Sequence, residues 1–163
     1  MASPQIEEIK TLMKTSARVQ ALREHYLKQQ KSDYEERILK MKRDERPNED
    51  EQLYERERIA YDVENKLATM SDDDVKRELK SLGMLDVVEK KSKAAYDRYI
   101  GGIDVNDGAA YITDDMCEML LRMVGSYSSD IAEAFKTLRS TSVKDMYKVA
   151  DAYAKVITTV IGT

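Results

Sequence analysis

The sequence predicts an all-α protein: an N-terminal helical hairpin of coiled-coil character, followed by a compact C-terminal helical bundle. Three observations carry that prediction. Apolar residues recur at steps of three and four along most of the chain, the spacing that lines one face of a helix. The first 70 residues hold 29 charged side chains and no glycine, so nothing in them favours a turn over a solvated helix. The two prolines of the 163-residue chain, Pro4 and Pro47, both sit where a helix can start.

Ser3-Pro4 opens the first helix, with serine as cap, proline in the first turn and Glu7 and Glu8 soon after. Its stripe runs through Ile6, Ile9 and Met13 to Val19, Leu22 and Tyr26. After a phase shift near residues 29–32 it continues through Leu27, Tyr34, Ile38 and Met41. That shift leaves a continuous helix and a bent one equally open. The next break is Arg46-Pro47, because proline disfavours helical geometry in the residue before it. A helix reaching that point would be on the order of 60 Å long.

Pro47-Asn48-Glu49-Asp50 is a turn and a second helix start, which places the hairpin turn near residues 46–50. Leu53, Ile59 or Ala60, Val63, Leu67 and Met70 share one face, with Tyr54 and Tyr61 beside it. Opposite charges at Glu51–Glu55, Arg58–Asp62 and Asp62–Lys66 fall four residues apart among these positions, a spacing that supports an exposed helix when signs differ. Two helices joined this way lie antiparallel, and the first outruns the second, so part of its stripe lacks a partner within the hairpin and is expected to be covered by another chain or by the C-terminal bundle.

Residues 71–163 read as the bundle. Ser71 before Asp72, Asp73 and Asp74 is a strong helix cap, Val75, Leu79 and Leu82 face inward, and Gly83 ends the helix. Residues 86–100 form the next helix, closed by Gly101-Gly102. Residues 101–112 are the one non-helical stretch, where Asn106-Asp107-Gly108 suits a small hairpin or an ordered loop equally. Helices then start at Thr113, at Ser128 or Ser129, and at Ser142. The last has the cleanest stripe of the chain, through Val143, Met146, Tyr147, Ala150, Tyr153, Ile157, Val160 and Ile161.

Chemistry is narrowed by what these helices carry. Cys117 is the single cysteine, in an apolar run where a buried, inert thiol is expected, and no disulfide can form within the chain. His25 is the single histidine; it lies among charges on the first helix, is expected to be solvated, and makes a nucleophile–histidine triad improbable. Residues 104–116 resemble a calcium loop superficially, but the sixth and twelfth positions would be Ala110 and Met116, which breaks the ligand set. Neither a Gly-rich nor a Walker-type phosphate loop is present. No cofactor, metal or small-molecule substrate is therefore expected. No segment approaches the roughly 18 apolar residues of a membrane span, and the N-terminus lacks the blocks of a signal peptide, so a cytoplasmic protein is expected.

What remains is association. Ten tyrosines against one phenylalanine and no tryptophan suit thin, half-wet contacts, since tyrosine packs its ring while its hydroxyl meets water. Val19, Leu22, Tyr26, Tyr34, Ile38, Met41, Tyr54 and Tyr61 are the candidate partner-binding residues; the bland reading of the hairpin tyrosines is that they edge its internal seam. The expected function is a non-enzymatic structural or interaction subunit that associates with protein partners or with itself. The alternative is a nucleic-acid-associated factor. It would use the cations of the first helix (Lys10, Lys14, Arg18, Arg23, Lys28 and Lys31) or a helix-turn-helix-like segment at residues 116–138. Against it, the net charge is −4, and Asp130 and Glu133 open the would-be recognition helix.

Overall fold

The computed structural model of the chain describes residues 4–101, 103, 115, 118–119 and 143–162. The expectations for a hairpin or loop at 102–112, for the calcium-loop-like stretch, for Cys117 and for the helix-turn-helix-like segment lie almost wholly outside these residues. The fold is all-α: the described residues form five α-helices and one 3-10 turn, with no strand among them. The helices are α1 (Pro4–Lys40), α2 (Glu49–Ala68), α3 (Asp72–Ser81), α4 (Leu85–Tyr99) and α5 (Val143–Ile161), and the 3-10 turn is Arg43–Glu45.

Helix α1 is continuous through residues 29–32, which resolves the question the phase shift left open. At 37 residues it is about 55 Å long. It stops at Lys40, six residues short of the expected Arg46. Residues 42–46 are all charged and offer α2 no apolar group, so helical continuation there gains nothing from packing. The Arg46 guanidinium instead folds back on the helix end, donating to the carbonyls of Met41 (3.3 Å) and Leu39 (3.4 Å). Asn48 then caps α2 by accepting from the Glu51 amide at 2.8 Å.

Helix α3 is fixed at both ends by local chemistry. Ser71 and Asp74 form a reciprocal capping box, and the hydrogen bonds from Ser71 hold the Asp74 carboxyl below its ordinary value. At the other end Gly83 turns left-handed (φ 71°), its amide reaching Lys80 and the Met84 amide reaching Leu79. Val75 and Leu79 are buried as expected, whereas Leu82 lies at the helix end and is exposed.

Helix α1 packs against all four other helices. Its first half runs antiparallel to α4: Lys10 donates to the Ile103 carbonyl just beyond α4 (3.0 Å), Lys14 lies over the Tyr96 ring, and Arg18 forks onto Glu89. It runs parallel to α5, where Ser16 bonds the Tyr153 hydroxyl. Further along it pairs antiparallel with α2: Arg23 bonds Glu64, whereas Tyr34 and Arg37, later in α1, lie by Glu55, earlier in α2. One cluster of buried side chains results, with Ile9, Met13, Leu22, Ile59, Val63, Leu79, Ile100 and Tyr153 among its members. It draws on residues from both sides of position 70, the break between α2 and α3.

Two outcomes test this account. Gly83→Ala meets no atom within 4 Å, so its cost is backbone strain alone: about 1 kcal/mol in chemical denaturation. The second concerns Glu89, whose carboxyl is held below its ordinary 4.5 chiefly by its hydrogen bond to Arg18. A depressed folded value stabilises above the ordinary carboxylate range, and that contribution is lost as pH falls through the folded value. Glu89→Gln should therefore lower the urea midpoint at neutral pH and make its fall on acidification shallower than in the native chain.

Candidate interaction surface

Beyond the bundle, α1 and α2 continue as a two-helix arm. Between Tyr26 and Ile59 no side chain is buried, and the α1 part of this stretch, Leu27–Lys40, is about 20 Å long. The end of the arm is nonetheless a built structure. Besides the Arg46 and Asn48 contacts, Gln52 donates to the Pro47 carbonyl at 3.0 Å, and the Glu45 amide closes the 3-10 turn on Lys42 at 2.9 Å.

The way α2 orients its residues defines the surface. A helical residue advances about 100°, so stepping back seven from buried Ile59 reaches Gln52 within about 20° of the core face. Stepping back six reaches Leu53, about 120° away. Gln52 and Glu55 accordingly occupy the half-buried seam against Tyr34 and Ile38, while Leu53 (53 % exposed), Tyr54 (69 %) and Tyr61 (68 %) face solvent. The first turns of α2 are amphipathic in the inverted sense: polar toward α1, apolar toward water. On α1, Leu39 is 70 % exposed and Met41 just beyond it is also exposed.

Arg37, Lys40, Lys42 and Arg43 are the charges next to the exposed Leu39 and Met41, bounded by the acid pairs Glu35–Glu36 and Asp44–Glu45, whereas Glu49, Asp50, Glu51 and Glu57 lie about Leu53 and Tyr54 together with Arg56 and Arg58. Each sign suits its helix end, cations at the C-terminus of α1 and anions at the N-terminus of α2. Arg58 bridges Glu55 and Asp62 (2.6 Å to the latter), and its hydrogen bond holds the Glu55 carboxyl below the ordinary range, with Arg37 across the seam adding to the effect.

The eight candidate residues separate on this geometry. Met41, Tyr54 and Tyr61 are exposed on the arm, and Tyr34 and Ile38 half-line its seam. Val19 is half-buried against the core. Leu22 is fully buried and Tyr26 nearly so, its hydroxyl beside Glu78; burial first, then the Glu78 charge, push that phenol above its ordinary value. Leu22 and Tyr26 thus belong to the core and are not surface groups, because α2, α3 and α5 cover that part of α1. Leu39 and Leu53 were not among the candidates. The signal for Leu53 was present: its register from Ile59, Val63 and Leu67 excludes it from the face they share.

The cations of α1 are largely engaged within the fold. Lys10 is buried, Lys14 and Arg18 bind α4, Arg23 binds Glu64 and Lys28 binds Glu24 at 3.5 Å. Among the described residues no group of three His, Cys, Asp or Glu side chains could hold a metal ion, and no helix is long and apolar enough to cross a membrane. Comparison with known proteins gives no significant match to any family model, curated protein or solved structure.

Leu22 and Leu39 test the placement directly. Leu22→Ala should cost about 3 kcal/mol, as a core truncation does, whereas Leu39→Ala should change the denaturation midpoint by no more than about 0.5 kcal/mol.

Proposed function

We propose that this chain is a non-enzymatic interaction subunit whose α1–α2 arm docks onto a second copy of itself, within a homo-oligomer or a larger assembly. The inverted amphipathy of α2 carries the reading. Leu53 and Tyr61 are exposed, and Tyr54, at the flank of the arm beside Tyr34, is 69 % exposed, so these groups gain little from burial within the described fold. Exposed apolar groups grouped along one element, rimmed by charge, are the mark of a docking surface.

The choice of a second copy rests on complementarity. The charges next to the apolar groups at the end of α1 are cations, Arg37, Lys40, Lys42 and Arg43, and carboxylates outnumber cations five to two over residues 49–58 of α2. A two-fold arrangement sets each cationic α1 end of one copy against the acidic, aromatic α2 face of the other, so that every contact occurs twice. Engagement of the α1 cations inside the bundle argues against using that helix for nucleic acid, which needs them turned to phosphate.

Sedimentation velocity on the full chain tests the proposal. Association that strengthens with concentration and weakens with added salt is expected, and Leu53→Glu with Tyr54→Glu should return the chain to a monomer while leaving its helical circular dichroism intact. A native chain that stays monomeric throughout, or an association that survives the double substitution, would overturn it.

A further inference from the structure

A second feature lies on the opposite side of the bundle from the α1–α2 seam and is independent of the arm. A groove of about 350 Å³ runs between the middle of α1, the start of α4 and the end of α5. Its floor is apolar, made by Ala21, Met84, Val87, Val88, Val160 and Ile161. Val87 is a large apolar side chain left 54 % exposed there, and Val88 and Val160 are core residues whose edges reach the groove.

The rim is cationic. Lys28 and Lys91 line it from opposite helices, with Glu24 as the one acid, already bound to Lys28. Among the described residues Lys91 forms no ion pair, and its ammonium lies across the end of α5, so close that a Cβ on Gly162 would come within 3.1 Å of Nζ. The ring of His25 forms part of the wall, and its Nε2 is buried with no hydrogen-bond partner. Leaving such an atom unpaired is unfavourable, and a rotation of the ring toward an acceptor in the groove would relieve it. Helix α4 adds to the same bias. Its cap position is Met84, which makes no side-chain cap bond, so the first-turn amides beside the groove have no side-chain acceptor from that residue.

We propose that this groove binds a small amphiphilic monocarboxylate, its acyl chain on the valine–isoleucine floor and its carboxylate between Lys28, Lys91 and a turned His25. The lining sets the class: a continuous apolar floor suits an acyl chain, the cations stand at one edge, and the volume falls within the range of small-molecule sites. An apolar surface with a few convergent polar groups at one edge is the usual form of such a site.

His25 is the only histidine in the chain, so its imidazole signals in proton–nitrogen NMR report on the groove without assignment. Titrating the full chain with octanoate should move those signals saturably. Octanol, which has the chain without the charge, and acetate, which has the charge without the chain, should each bind at least about tenfold more weakly. Val87→Asp changes an exposed residue and sets a like charge against the carboxylate; it should weaken octanoate by at least about tenfold while the circular dichroism is unchanged. Lys91→Gln should weaken it several-fold. The assignment is overturned if octanoate leaves the His25 signals unmoved, if octanol matches it, or if Val87→Asp binds as the native chain does. None of these readouts depends on self-association through the arm.

Discussion

Because α1 carries an apolar stripe along most of a length of about 55 Å, none of the other described helices is long enough to cover it, and they divide the task. Its first half is covered by α4 and α5, which pack on each other as well, and Ile9, Met13 and Ala17 become core. Its middle is covered by α2 and α3, where Leu22 and Tyr26 meet Ile59, Val63 and Leu79 in the same cluster. Its last turns have α2 alone. Two antiparallel helices can bury one shared seam but not the flanks, and that geometry leaves the arm without a buried residue.

The same helix explains where the charge goes. A rod packed among other helices presents its polar flanks to them, and cations placed along α1 meet carboxylates of α2 and α4 and a carbonyl just beyond α4. Arg18 reaches Glu89 on α4, Arg23 reaches Glu64 on α2, and Lys10 reaches a carbonyl beyond the end of α4. These contacts are half-exposed and individually modest, but they fix register where an apolar stripe alone would allow sliding. The cationic run that sequence reading offers to phosphate is, in three dimensions, a set of clasps between helices.

Local features were legible in the sequence and long-range ones were not, for a physical reason. The caps at Asn48 and Ser71 and the left-handed Gly83 depend on residues within about five positions of one another, so composition and spacing define them. The helical face Ile59–Val63–Leu67 follows from period alone. A stripe, however, does not say what covers it: Tyr26 is covered by Lys66 of α2 and by α3, whose Glu78 lies 52 positions further along the chain. Met41, Tyr54 and Tyr61 were readable as surface for the opposite reason, since their surroundings are set by the hairpin itself. Leu53 illustrates a subtler limit. Its hydrophobicity suggested the seam, while its angular position gave the solvent side; register is the stronger guide wherever a neighbouring polar residue, here Gln52, fills the seam position.

Magnitudes decide how the arm can be used. Fully burying a Leu-sized side chain yields about 1.5–3 kcal/mol, and Leu39, Leu53, Tyr54 and Tyr61 have roughly half to two-thirds of that still to gain. Together they offer about 4–8 kcal/mol, against an association cost of about 4–15 kcal/mol in lost freedom. One arm laid on an indifferent surface would scarcely hold. A two-fold pairing doubles the apolar gain for a single association cost, and it brings the lysine- and arginine-rich end of α1 to the acidic start of α2 twice over. The proposed two-fold pairing would thus offset the association cost without any enlargement of the surface.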